Sequence, residues 1–203
     1  MKRLSNFENV IYDANILVYY CFNTKNHSII ELTKKTHELT NFLMENNTSI
    51  IIPKFIVEEI RTKTIRKILE KYISTKQLTN LPKNPNMIFK LGLEHRVKTK
   101  FQKLLKKEWI YIENYNPSEE LLDKTYDYFD NLETHPLLNK FLKLKKKSNP
   151  IPSKNDIKLI TFSKERETPI ISNDYDITFF ADELFQKRLS NQIFNLKELI
   201  IYN

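Results

Sequence analysis

Four short apolar runs, separated by longer stretches of helical periodicity, constrain this chain more than any other feature. They lie at 8–12 (ENVIY), 49–53 (SIIIP), 169–172 (PIIS) and 192–195 (QIFN). Each has strand length and is bounded by polar residues or Pro. Between them the spacing predicts helices over roughly 14–22, 27–46, 54–72, 89–107, 154–166 and 177–189. A further helix is expected after Asn116, with Asn116 as N-cap, Pro117 in the first turn and Glu119 in capping-box position. Strand alternating with helix is the order of a parallel sheet covered on both faces, so the expected class is α/β. We read residues 1–203 as a single domain, with 74–150 as a helical insertion.

Composition removes several functions. One Gly in 203 residues excludes the Gly-rich phosphate loops of nucleotide-binding folds. One Cys, Cys21, excludes a disulfide within the chain and a cysteine zinc site. His27, His37, His95 and His135 are scattered and form no zinc spacing. No signal-peptide core follows Met1, and no segment approaches the roughly 18 apolar residues of a membrane span. The expectation is a soluble cytoplasmic protein with no membrane partner. A formal charge of +8 favours a polyanion, nucleic acid first. Two basic stretches are the candidate RNA contacts: Lys98, Lys100, Lys103, Lys106 and Lys107, then the run from Lys140 through Lys145, Lys146 and Lys147. The stretch 108–133 inverts this charge with eight acids against Lys124. It is expected to pair with the basic stretch across a helical hairpin.

Open parallel sheets bind ligands beyond the C-terminal ends of their strands. Carboxylates fall at those places. Asp13 follows the first strand. Glu59, beside the alternate Glu58, lies a turn and a half beyond the second. Asp156 opens the helix before the next core strand. Asp174 follows that strand, with Asp176 two residues on. Each has an ordinary structural explanation: Asp13 as an N-cap, Asp156 in a capping box with Ser153, Asp174 in a turn, Glu59 on a solvated face. Four such residues need not share one sheet edge, yet here they would. Clustered like charges raise one another's pKa, and a hard divalent cation relieves that cost. An ion so held lowers the pKa of bound water and neutralises phosphoryl charge.

These residues resemble the PIN domain, a metal-dependent nuclease fold. VIYDANIL at 10–17 looks like its opening strand with the first acid and a following Asn. IIPKFIVEEI at 51–60 looks like its second strand and helix. The segment 152–177 looks like its closing block, with Ser172 where Thr is usual. The resemblance implies a three-layer α/β/α fold of about five parallel strands. It also implies Mg²⁺- or Mn²⁺-dependent cleavage of single-stranded RNA. Asp13, Glu59 and Asp174 would bind or orient metal, Asp156 would help hold a second ion or the attacking water, and Asp176 would be accessory. The expected roles are the toxin of a toxin–antitoxin pair, with an antitoxin protein as partner, or an RNA-processing enzyme. A homodimer formed through helices is a further expectation. Two other readings stand beside it. One is a catalytically weak RNA- or protein-binding module on the same fold. The other is a receiver-type phosphoacceptor, which needs a Lys after its last strand and finds only Lys197.

Overall fold

In a computed structural model of the chain, residues 4–22, 27–73, 85–131, 136–145 and 152–199 are described. Five parallel strands form one sheet in the order β3-β2-β1-β4-β5. They are β1 (Asn9–Tyr12), β2 (Ser49–Pro53), β3 (Ile110–Glu113), β4 (Ile170–Ser172) and β5 (Ile193–Asn195). The helices are α1 (Ala14–Cys21), α2 (His27–Glu45), α3 (Lys54–Glu59), α4 (Ile65–Ile73), α5 (Pro85–Leu104), α6 (Glu119–Asp130), α7 (Pro136–Lys145), α8 (Lys154–Glu165), α9 (Tyr175–Thr178) and α10 (Ala181–Gln186). The expected α/β class is therefore the fold. Among the described residues, no helix is long and apolar enough to cross a membrane.

Burial explains the strands. β1 bonds to neighbours on both sides, with Ile11 in register with Ile51 and with Ile170. Val10, Ile11, Tyr12, Ile50, Ile52, Ile170 and Ile171 are buried. A strand covered on both faces reads as an unbroken apolar run, which is why these segments lack alternation. The apolar run resumes beyond Asp13 because α1 is itself buried on most of its surface, through Ala14, Ile16, Leu17, Val18, Tyr19 and Cys21.

Crossover handedness sets the layers. Steps from β1 to β2 to β3 move one way across the sheet, and steps from β3 to β4 to β5 move the other way. Right-handed connections then place α1–α5 on one face and α6–α10 on the other. The packing agrees: α1 lies against α2, α3 and α5, and α4 against α5, whereas α6 lies against α8. The basic α5 and the acidic α6 thus belong to different layers, and the expected charge-paired hairpin does not form. The strand order also departs from the 2-1-3-4-5 order of receiver-type folds, which removes the phosphoacceptor reading.

Other departures are local. β3 lies inside the segment read as a helical insertion and supplies an edge of the sheet. The single helix expected over 54–72 is α3, a π-helical turn at Ile60–Thr64, and α4. There the Ile60 N–H reaches the carbonyls of both Ile56 and Val57, and the Thr62 and Thr64 hydroxyls donate to carbonyls of Glu58 and Glu59. Side-chain hydroxyls competing for helix carbonyls loosen the ladder in this way. The helix expected over 177–189 is two short ones, α9 and α10. α6 starts later than expected, with Ser118 rather than Asn116 at the N-cap. The expected loop at 74–84 lies outside the described residues.

Scarcity of Gly leaves a mark on the helix ends. Asn47, Glu167 and Arg188 take the left-handed conformation, with φ of 54°, 49° and 59°. Each stands where a helix reverses: Thr48 N–H returns to Leu43 C=O, Thr168 N–H to Ser163 C=O, and Leu189 N–H to Leu184 C=O. Gly is the usual residue there because a Cβ costs roughly 1–2 kcal/mol. Glu167 and Arg188 are exposed. Glu167→Gly and Arg188→Gly are each expected to stabilise the fold by about 1 kcal/mol, read as a rise in urea midpoint. A fall in midpoint would refute the strain.

Candidate functional site

Asp13 lies where β1 meets α1. Its N–H donates to Ile171 C=O at 3.0 Å, which fixes it beside the end of β4. Its carboxylate caps α1, with Oδ1 accepting from Ala14 N–H at 2.6 Å. Oδ2 accepts from Asn15 Nδ2 at 2.7 Å and from Ser172 Oγ at 2.6 Å. Ser172 Oγ in turn accepts from Asp174 N–H at 2.9 Å, and Asn15 Oδ1 accepts from Asn173 N–H at 3.1 Å. One network therefore joins the start of α1 to the end of β4. This is the switch point of the sheet, since β1 connects towards β2 on one side and β4 towards β5 on the other.

The remaining acids approach from both layers. Asp174 caps α9, its Oδ1 accepting from Asp176 N–H at 2.9 Å. Asp156 completes a capping box with Ser153: Ser153 N–H donates to Asp156 Oδ2 at 2.8 Å, and Asp156 N–H to Ser153 Oγ at 3.3 Å. Glu59 is half-buried and Glu58 exposed, so Glu59 is the member of that pair turned inward. Its Oε2 accepts from Asn155 Nδ2 at 2.6 Å, which ties α3 to the first turn of α8, and Lys63 Nζ stands 3.4 Å from its Oε1. The capping roles open to Asp13, Asp156 and Asp174 are all in use. They account for the backbone contacts, but not for the convergence of the three acids.

Electrostatics records that convergence. The Asp13 carboxyl is raised to about 8, first by burial, then by the charge of Asp156, with Asp174 adding to it. Hydrogen bonds from Ser172 and Ala14 oppose the rise and do not cancel it. Asp156 is raised to about 6, chiefly by burial, with Asp174 and Glu59 contributing. The acids thus lie within range of one another's charge. Even so, among the described residues no three His, Cys, Asp or Glu side chains are gathered closely enough to hold a metal ion. The donor chemistry fits a hard dication: the groups are all carboxylate oxygens, and they carry charge that no buried cation offsets. Closing them on one ion would require the side chains to draw together.

The structure separates the basic candidates from this edge. Lys106 and Lys107 precede β3, at the N-terminal ends of the strands, whereas the acids lie at the C-terminal ends. Lys103 is at the same far end, on the last turn of α5. Lys98 is held by Glu94 at 2.6 Å, and Lys100 is exposed on α5. Lys145 closes α7, while Lys146 and Lys147 lie outside the described residues. The cations that border the acidic edge are others: Lys54 directly after β2, Lys63 on the π turn, and Lys154 at the start of α8. Their signal in the sequence was position, one step beyond a strand or at a helix start, rather than clustering. Asn155 was likewise passed over, although it adjoins Asp156. Trp109 and Tyr115 pack inward, against Tyr20 and Phe162. Cys21 is a buried apolar residue, as expected.

Compared with protein-family models and with curated protein sequences, the chain matches neither.

Proposed function

We propose that this chain is a Mg²⁺- or Mn²⁺-dependent endoribonuclease of PIN type, acting at the edge marked by Asp13 and Asp174. The observation that carries the reading is the mutual charge of Asp13, Asp156 and Asp174 at the switch point, with Asp13 raised to about 8. Such an arrangement opposes ionisation of its own members unless a cation is taken up. Bound there, the ion supplies polarisation of a phosphodiester and an acidified water. Asp13 and Asp174 are the residues that would hold it, with Asp156 beside them. Asn15 and Ser172 aim the Asp13 carboxylate, and Asn155 aims Glu59. Lys54 and Lys154 are placed to meet the phosphates of a single strand.

Labelled single-stranded RNA incubated with Mn²⁺ or Mg²⁺ tests this reading. Cleavage is expected, abolished by EDTA and absent in Asp174→Asn. If none of several RNAs is cut and calorimetry detects no metal binding, the nuclease reading fails. The binding-module reading then takes its place. One observation already favours that alternative: Glu59 is engaged by Lys63 and Asn155 rather than held open towards the other acids. On that reading RNA affinity would survive in Asp13→Asn and fall with Lys54→Ala.

A further inference from the structure

β3 is an edge strand left open on its outer side. The Ile50 N–H donates to Trp109 C=O at 2.9 Å, with Ile50 in register with Ile110. Alternation along a parallel ladder then turns the backbone groups of Trp109, Tyr111 and Glu113 towards β2. Those of Ile112, and the carbonyl of Ile110, point to the free edge. The Ile110 N–H folds back onto Lys107 C=O at 3.0 Å. Side chains on both faces are also open: Tyr111 is 55% exposed and Ile112 48%. Natural edges are usually blunted by charge, Pro or a covering element. Here the two central side chains are large and apolar, and Glu113 is engaged by Arg166.

Charge along this edge is polarised. Lys103, Lys106 and Lys107 are exposed before the strand, with Glu108 the one acid among them. After it, Glu119, Glu120 and Asp123 are exposed, with Glu120 also touching Lys124. A surface positive at one end and negative at the other, with an apolar centre, complements itself under a two-fold rotation. We propose that β3 pairs antiparallel with β3 of a second copy, centred on Ile112, to form a ten-stranded sheet. In that register Ile112 exchanges both backbone bonds with its counterpart. Lys106 and Lys107 lie alongside residues 117–118 of the second copy, next to its Glu119 and Glu120. Because each sheet is wholly parallel, the two acidic edges face opposite directions, and each would act on a separate strand. This inference does not depend on the nuclease reading.

Sedimentation of the full chain from about 1 to about 100 µM tests it. A concentration-dependent dimer is expected, weakened when salt rises from about 0.05 to 0.5 M. Ile112→Lys is expected to raise the dissociation constant at least about tenfold, with an unchanged circular-dichroism spectrum. Should that variant fail to fold, the charge reversals outside the strand decide. Lys106→Glu with Lys107→Glu should weaken self-association, and mixing it with Glu119→Lys, Glu120→Lys should restore a heterodimer. A chain monomeric throughout, or a dimer indifferent to all these changes, overturns the proposal.

Discussion

Asp13→Asn is expected to reduce metal-dependent RNA cleavage by more than about a hundredfold, since loss of even an outer-shell group costs 10–100-fold. It should leave the fold intact. Asn keeps an oxygen to accept from Ala14 N–H and Ser172 Oγ, while removing a buried carboxyl already raised to about 8. Without metal, the variant should therefore be more stable than the parent at pH 8, by roughly 1–3 kcal/mol. A single pair of experiments reads both effects: cleavage of labelled RNA, and thermal melting in EDTA. A variant that melts well below the parent would make Asp13 a structural cap and no more. One that still cuts RNA would move the chemistry elsewhere.

Thermal stability should fall as pH rises, in the absence of divalent metal. The folded protein keeps a proton on Asp13 from its ordinary 3.8 up to about 8, whereas the unfolded chain has released it. Asp156 adds a narrower window, from 3.8 to about 6. Wherever the folded state binds more protons, stability declines with increasing pH. The stabilising contribution is complete below pH 4 and lost by about pH 8, a loss of a few kcal/mol. At about 2–4 °C per kcal/mol, Tm should drop by roughly 5–10 °C between pH 5.5 and 8.5. Added Mg²⁺ should restore most of it at pH 8.5 and little at pH 5.5, where protons compete for the same oxygens. A flat profile, or equal protection at both pH values, would show that these carboxylates do not act together. Because Asp13→Asn removes the main titrating group, that variant should lose most of the pH slope.

The acids were legible in the sequence because their placement is a local matter. An apolar run that ends on a carboxylate is visible in ten residues, and four such places survive any rearrangement of the helices. The strands at Asn9–Tyr12, Ser49–Pro53, Ile170–Ser172 and Ile193–Asn195 were readable for the same reason. What resisted reading was whatever depends on a distant neighbour. β3 is four residues long, half exposed and embedded in an acidic stretch; only the facing carbonyls and amides of β2 make Ile110–Glu113 a strand. The inward turn of Glu59 over Glu58 is set by packing around a π turn and by Asn155, 96 residues away. Lys106 and Lys107 cluster in sequence near a candidate polyanion site, yet the parallel sheet carries them to the opposite end from it. Periodicity and residue chemistry thus determined the element types and the acidic character of one edge. Strand order, decided by the handedness of the crossovers and the burial of β1, determined that Asp13 and Asp174 meet at the switch point.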